Sequence, residues 1–381
     1  MPDIVKGFGA RIARSPIDWV MLGAAITLVL FGLVTMNSFV GSNYYFEKQG
    51  IWLVVSLGVF FGVSLIDWSF LKRTQVLITL FGALLALLGS LLFLVRAIKG
   101  AQSWIDFGLF SFQPTDFAKL LLILILAKYF SRRHVEIARI RHVIVSGVYA
   151  FILFALVALQ PDFGGAVIIA SVWLGMVLIS GISRKHILIL FTCAAIAFTV
   201  LWNFGFKDYQ KDRILTFIHP LADIRGTGYN AYQSTIAVGS GEIVGKGIGY
   251  GTQSKLKFLP EYQTDFIFAA FAEEWGFLGV ILFFGAFGVL IWRIIANARR
   301  GTTNFEILYG LGLSILFMSH FFINVGMNMG LLPVTGITLP FVSYGGSHLL
   351  TSFFALGILQ SQRRYMRGVH KEETKNEFLG I

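Results

Sequence analysis

Ten stretches of roughly twenty mainly apolar residues recur along this chain, near 17–40, 48–66, 75–96, 115–130, 142–160, 164–182, 186–205, 265–296, 305–330 and 338–361. A helix of that length matches the hydrocarbon thickness of a bilayer, and only a segment that pairs its own backbone N–H and C=O groups is tolerated there. The predicted class is an all-α integral membrane protein with about ten transmembrane helices. It forms a single polytopic domain over 1–381, with a transmembrane region at 16–361, a large loop at 206–264 between spans 7 and 8, and a polar tail at 362–381. Composition agrees, because 56% of the residues are hydrophobic and only 13% charged, too few for a soluble surface. The 265–296 run is long and holds Glu273, Glu274 and Gly276, which predicts a bend or break. Residues 1–16 are polar and basic and lack the pattern of a cleavable signal. Val5, Phe8 and Ile12 share a helical face there, as in a short interfacial helix.

Lys and Arg distribution sets orientation, since cytoplasmic loops collect cations. With ten spans, the side holding both termini carries 20 of the 31 basic residues; the other side has four outside the 206–264 loop, Lys48, Arg96, Lys99 and Lys119. The termini are therefore predicted cytoplasmic and the long loop outward. The net charge of +11 is thus a topological anchor beside anionic lipid and no sign of nucleic-acid binding. The lone Cys193 sits in an apolar run and forms no intramolecular disulfide.

Four outward segments are unusually polar: GAQSWIDFGLFSFQPTDFAK (100–119), QPDFGG (160–165), LPEYQTDFIFAAFAEEWG (259–276) and GLLPVTGITLPFVSYGGSHLL (330–350). Asp265, just before an apolar helix, suits either a helix cap or a general base at the membrane boundary, where partial desolvation raises a carboxyl pKa. Glu273 and Glu274 are costly within a span unless they face protein, water or cations, and both a structural pairing and a functional role stay open. Asp116 and Lys119, three residues apart, form either a helical ion pair or, through Lys119, a cation for a phosphate. Asp162 reads as a turn residue or a site carboxylate. The glycine-rich GSGEIVGKGIGYGTQ (239–253) lacks the spacing of a phosphate loop or dinucleotide fingerprint and reads as a close-packed loop. Neither a metal-ligand spacing nor a nucleophile elbow occurs, and of the seven scattered His residues only His348, near the outer face, is a site candidate.

The runs QPTDFAK, QPDFGG, YQSTIAVGSGEIVGKGIGYGTQ, FLPEYQTDFIFAAFAEEWG and NVGMNMGLLPVTGITLPFVSYGGS, in that order between about 100 and 350, resemble the SEDS family (shape, elongation, division and sporulation) of membrane glycosyltransferases. The PEYQTDFIFA wording is similar to the elongation branch rather than the division branch. The resemblance implies polymerisation of undecaprenyl-linked lipid II into β-1,4 glycan strands. Asp265 matches the family's essential carboxylate, and Lys119 and Asp162 match polar cavity positions. Glu273 and Glu274 fall at its acidic helix positions. Asp116 stands where relatives usually carry Glu, and Ser103 where many carry Arg, so the role of each is open.

The reaction so implied is an inverting transfer in which the leaving diphosphate needs counter-charge, from Lys119 or from a divalent cation (Mg or Mn). The implied partners are a class B penicillin-binding transpeptidase and other proteins of an elongation complex. Two rival readings fit the composition: a lipid II flippase, against which stands the absence of an inverted repeat, and a non-catalytic scaffold.

Overall fold

Apolar chain that cannot hydrogen-bond to lipid closes its own backbone as helix, and each of the ten predicted runs contains one in the computed structural model, although the run predicted at 338–361 is non-helical up to Gly346. Residues 17–39, 43–94, 104–106, 108, 111–132, 140–205, 208–218, 228–256 and 258–379 are described; the predicted interfacial helix around Val5, Phe8 and Ile12, and Ser103, lie outside them. In order come α1 (Trp19–Asn37), α2 (Tyr44–Leu65), a 3-10 turn (Trp68–Lys72) and α3 (Thr74–Leu94). A two-residue ladder pairs β1 (Ile105–Asp106) with β2 (Ser111–Phe112). Then follow α4 (Pro114–Ser131), α5 (Ile140–Leu159), α6 (Phe163–Ile179) and α7 (Arg184–Val200), which runs on as a π turn (Leu201–Gly205). The long loop contains α8 (Asp208–Ile218), α9 (Tyr229–Ser240) and α10 (Thr252–Lys255), before α11 (Ile267–Ala298), α12 (Asn304–Asn328) and α13 (Gly346–Leu379).

Among the described residues seven helices are long and apolar enough to cross a membrane, α1, α2, α3, α5, α7, α11 and α12; α6 is apolar but shorter. The other two predicted spans, α4 and α13, mix charged or polar residues into their length. The polar tail expected from 362 continues α13 as helix to Leu379.

The layout follows from which helices are apolar all round. In α4, 14 of its 18 residues are buried, so it belongs in the interior, packed against α12, α6, α3 and α5. Its sequence suits its direction: Pro114 opens the first turn, Asp116 sits at the positive end of the dipole and Lys128 at the negative end. Around it α13 runs along α2, and α11 along α1. By contrast α7 stands at the periphery, with none of its apolar length buried.

The predicted break in α11 is present. Gly276 has φ 64° and ψ −169°, outside helical geometry. Unbroken, 32 residues would extend about 48 Å, well beyond a bilayer core; the part after the break, 277–298, is about 33 Å long. The freed backbone groups are paired by the glycine-rich loop: Phe277 N donates to Glu242 O (2.9 Å), Leu278 N to Ile243 O (3.1 Å), Lys246 N to Glu273 O (3.0 Å) and Gly247 N to Glu274 O (3.0 Å). So close an approach requires glycine, since a Cβ on Gly276 would lie 2.2 Å from Gly245 N.

Candidate active site

The six acidic and basic candidates fall into three groups. Glu273 and Glu274 form the first, and their partners are protein. Glu273, with no exposed surface, accepts at Oε1 from Lys246 Nζ (2.7 Å), Thr252 N (2.9 Å), Thr252 Oγ1 (2.9 Å) and Gln253 N (3.2 Å). Glu274 Oε1 accepts from Ser38 Oγ and from Gly249 N (3.2 Å). These carboxylates clamp the glycine-rich loop into the break of α11. Lys246 is the cation paired with Glu273, and backbone N–H groups of Thr252 and Gln253 supply the rest of the structural pairing left open by the sequence.

The second group is Asp116, Lys119 and Asp162. Asp116 and Lys119 sit on consecutive turns of α4, 4% and 5% exposed, with Lys119 Nζ 3.0 Å from Asp116 Oδ1. His348, near the start of α13, brings Nδ1 to 3.4 Å from the same oxygen. Asp116 Oδ2 and Thr115 Oγ1 are buried without a hydrogen-bond partner among the described residues. Asp162 is the N-cap of α6, where Oδ1 accepts from Gly165 N at 2.7 Å, so its turn role is real. Its other oxygen accepts from Gln113 Nε2 at 3.3 Å, which ties QPDFGG to QPTDFAK. Asp162 keeps part of its surface accessible, yet desolvation by surrounding protein pushes its carboxyl above the usual range, against the opposing attraction of Lys119.

Asp265 stands third. The N-cap of α11 is Phe266, so Asp265 occupies the turn just before the helix and not the cap position considered from the sequence. Its backbone is held from α12: Asn324 Nδ2 and Asn328 Nδ2 both donate to Asp265 O, at 2.9 and 3.0 Å. Asn324 also donates to Ile337 O (2.6 Å), and Asn328 Oδ1 accepts from Ala269 N (3.1 Å). From the other side Ser343 Oγ donates to Thr264 O (2.6 Å) and Tyr344 N to Gln263 O (2.9 Å). With its main chain fixed this way, the half-buried carboxylate is aimed toward Gly336, whose Cβ, if present, would lie 3.5 Å from Oδ2.

The non-helical segment 335–338 joins the second group to the third. Thr338 O receives His320 Nδ1 at 3.1 Å, and the His320 and His348 rings face each other with centroids 4.9 Å apart. Gly164, two residues past Asp162, packs so tightly that a Cβ there would sit 2.8 Å from Thr335 O. Asp265 and the Asp116–Lys119–Asp162 cluster therefore flank one strip of backbone. Asn324, Asn328, Gln113 and His320 were not singled out from the sequence. Two Asn at i and i+4 in an apolar span were the available signal, because such amides need partners.

Among the described residues no three His, Cys, Asp or Glu side chains gather as a metal-binding group. The Asp116 cluster contains an ammonium where a resident divalent ion would need a further acceptor. These side chains alone do not fit a resident ion, and Lys119 Nζ, 3.0 Å from Asp116 Oδ1, already supplies a positive charge there.

The family model of FtsW, RodA and SpoVE, described as a cell cycle protein, matches residues 15–368. The chain is 38% identical over 273 residues to the peptidoglycan glycosyltransferase MrdB of Escherichia coli, covering 72% of this chain and 74% of that protein. It is 34% identical over 379 residues to the probable peptidoglycan glycosyltransferase FtsW of Thiomicrospira cyclica, covering 97% and 96%. Among solved structures it is similar to a chain of a peptidoglycan synthase complex that coordinates polymerization and crosslinking, with a TM-score of 0.79, 30% identity, and 92% and 98% coverage. The rod shape determining protein RodA of Thermus thermophilus aligns with a TM-score of 0.68, 28% identity and the same coverage.

Proposed function

We propose that this chain, which belongs to the FtsW/RodA/SpoVE family, polymerises lipid II with Asp265 as general base. It is a membrane glycosyltransferase of peptidoglycan synthesis. What carries the finer reading is the pinned turn around Asp265: two Asn amides hold its carbonyl while its carboxylate flanks the same strip as Lys119.

In this reading Asp265 takes the proton of the acceptor sugar 4-hydroxyl as that oxygen attacks the anomeric carbon of the donor. The bond from that carbon to the diphosphate oxygen breaks with its electron pair, and inversion of the α-linked donor yields the β-1,4 link. Lys119 offsets the charge that builds on the leaving undecaprenyl diphosphate. Asp116, itself contacted by His348, holds Lys119 in place, and Asp162 fixes the start of α6 beside it. The charge bias of the loops supports an outward site, cytoplasmic termini and residence in the bacterial inner membrane. The likeness to a chain of a synthase complex that also crosslinks supports a transpeptidase partner, of the class B penicillin-binding type, within an elongation complex.

The test is polymerisation of purified lipid II by the protein with its transpeptidase partner. Asp265→Asn, folded to the wild-type melting temperature, is expected to lose at least about a hundredfold in rate; normal polymerisation would remove Asp265 as base.

A further inference from the structure

We propose that a cleft between α3, α4 and α5, at the far end of α4 from the Asp116–Lys119 pair, binds the phosphodiester headgroup and one acyl chain of an anionic phospholipid. The cleft has a volume of about 340 Å³, within the range of small-ligand sites. Its lining is graded along the helix axes. At the mouth lie Arg141 in the first turn of α5, and Lys128 and Arg132 at the end of α4. One to two turns deeper the walls turn apolar, with Phe81 on α3, Ile125 on α4 and Val145 on α5. Over a depth of about 10–12 Å the lining thus passes from cationic to apolar, as a lipid does from headgroup to tail.

Charge argues for an occupant. Lys128 and Arg132 are four residues apart on one helix, a like-charge spacing that destabilises the helix unless an anion intervenes. Among the described residues, neither they nor Arg141 has a carboxylate partner; nearby Lys72 is already paired with Glu306 at 2.7 Å. The positive ends of α3 and α5 also open at this mouth and, against the single negative end of α4, favour an anion there. Generic attraction of cytoplasmic cations to the membrane accounts for the charges but not for an apolar cleft beneath them. A free phosphate would use the mouth and leave the deeper walls empty, so the lipid is the better fit.

The test is native mass spectrometry of the full chain released from nanodiscs of phosphatidylglycerol and phosphatidylcholine mixed in equal parts. One retained phosphatidylglycerol is expected, preferred by about tenfold or more, since each cation near a membrane surface favours anionic lipid. Lys128→Gln/Arg132→Gln/Arg141→Gln should bring the preference to about one, whereas Arg299→Gln/Arg300→Gln/Arg364→Gln, which removes exposed cations elsewhere, should leave it unchanged. Val145→Trp, which keeps the charges and fills the depth, should also release the lipid, and this variant carries the test if the triple variant fails to fold. Equal retention of the two lipids, equal loss in both triple variants, or displacement by millimolar inorganic phosphate would overturn the proposal.

Discussion

Replacing Glu273 with Ala separates the two roles that its sequence position left open. In the structure the side chain is the acceptor for Thr252 N, Gln253 N, Thr252 Oγ1 and Lys246 Nζ, and it is fully buried. Truncation strands two backbone N–H groups at about 1–3 kcal/mol each. Lys246 is 30% exposed and regains water, so its lost pairing adds no more than about 1 kcal/mol. The sum is about 2–7 kcal/mol, concentrated where the loop meets the break in α11. Glu273→Gln keeps an acceptor of the same shape and should cost about 1 kcal/mol. Hydrogen exchange in detergent reads the difference locally. At 1.36 kcal/mol per decade, amides of 242–253 in the Ala variant should lose about thirtyfold or more in protection, those of α4 remaining at wild-type values. If loop protection stays unchanged while KM for the lipid substrate rises, Glu273 faces substrate and the clamp is wrong.

Three further outcomes follow from the same contacts. Gly276→Ala forces a side chain into a positive φ and against Gly245 N, and should destabilise by more than about 2 kcal/mol, read as a lower melting temperature. Asn328→Ala removes one of two anchors of the Asp265 carbonyl and the acceptor of Ala269 N; kcat should fall about tenfold or more with KM nearly unchanged, and an unchanged kcat would refute the anchoring role. Asp162 has a carboxyl pKa raised by burial, so its stability contribution is complete below the unfolded value near 3.9 and is lost as pH rises through the higher folded one. Melting temperature of the wild type should therefore fall over that window relative to Asp162→Asn, and parallel pH profiles would contradict it.

Elements with a local cause were legible in the sequence. Apolar runs of span length became helices, Asp162 before Phe163 and two glycines became an N-cap, and Gly276 in an over-long run became a break. What escaped were pairings across large sequence distances, which leave no local mark. Glu273 meets Lys246 27 residues away, and Asn324 meets the Asp265 carbonyl across 59 residues. Phe266, not Asp265, took the cap because the turn 261–266 closes on Glu261 O, a choice that local propensity for Asp does not reveal. Glycines at 239–253 announced close packing, but not that the surface they pack on is the interior of a broken helix.

The break in α11 also constrains the order in which the molecule can be assembled. An interrupted helix cannot satisfy its own main chain in lipid, so the pairing that 242–247 supplies has to be present as the helix takes its final path. Residues 242–247 leave the ribosome before Gly276 does. The glycine-rich segment is therefore already made when its helix emerges, a template for the main-chain groups that the break sets free.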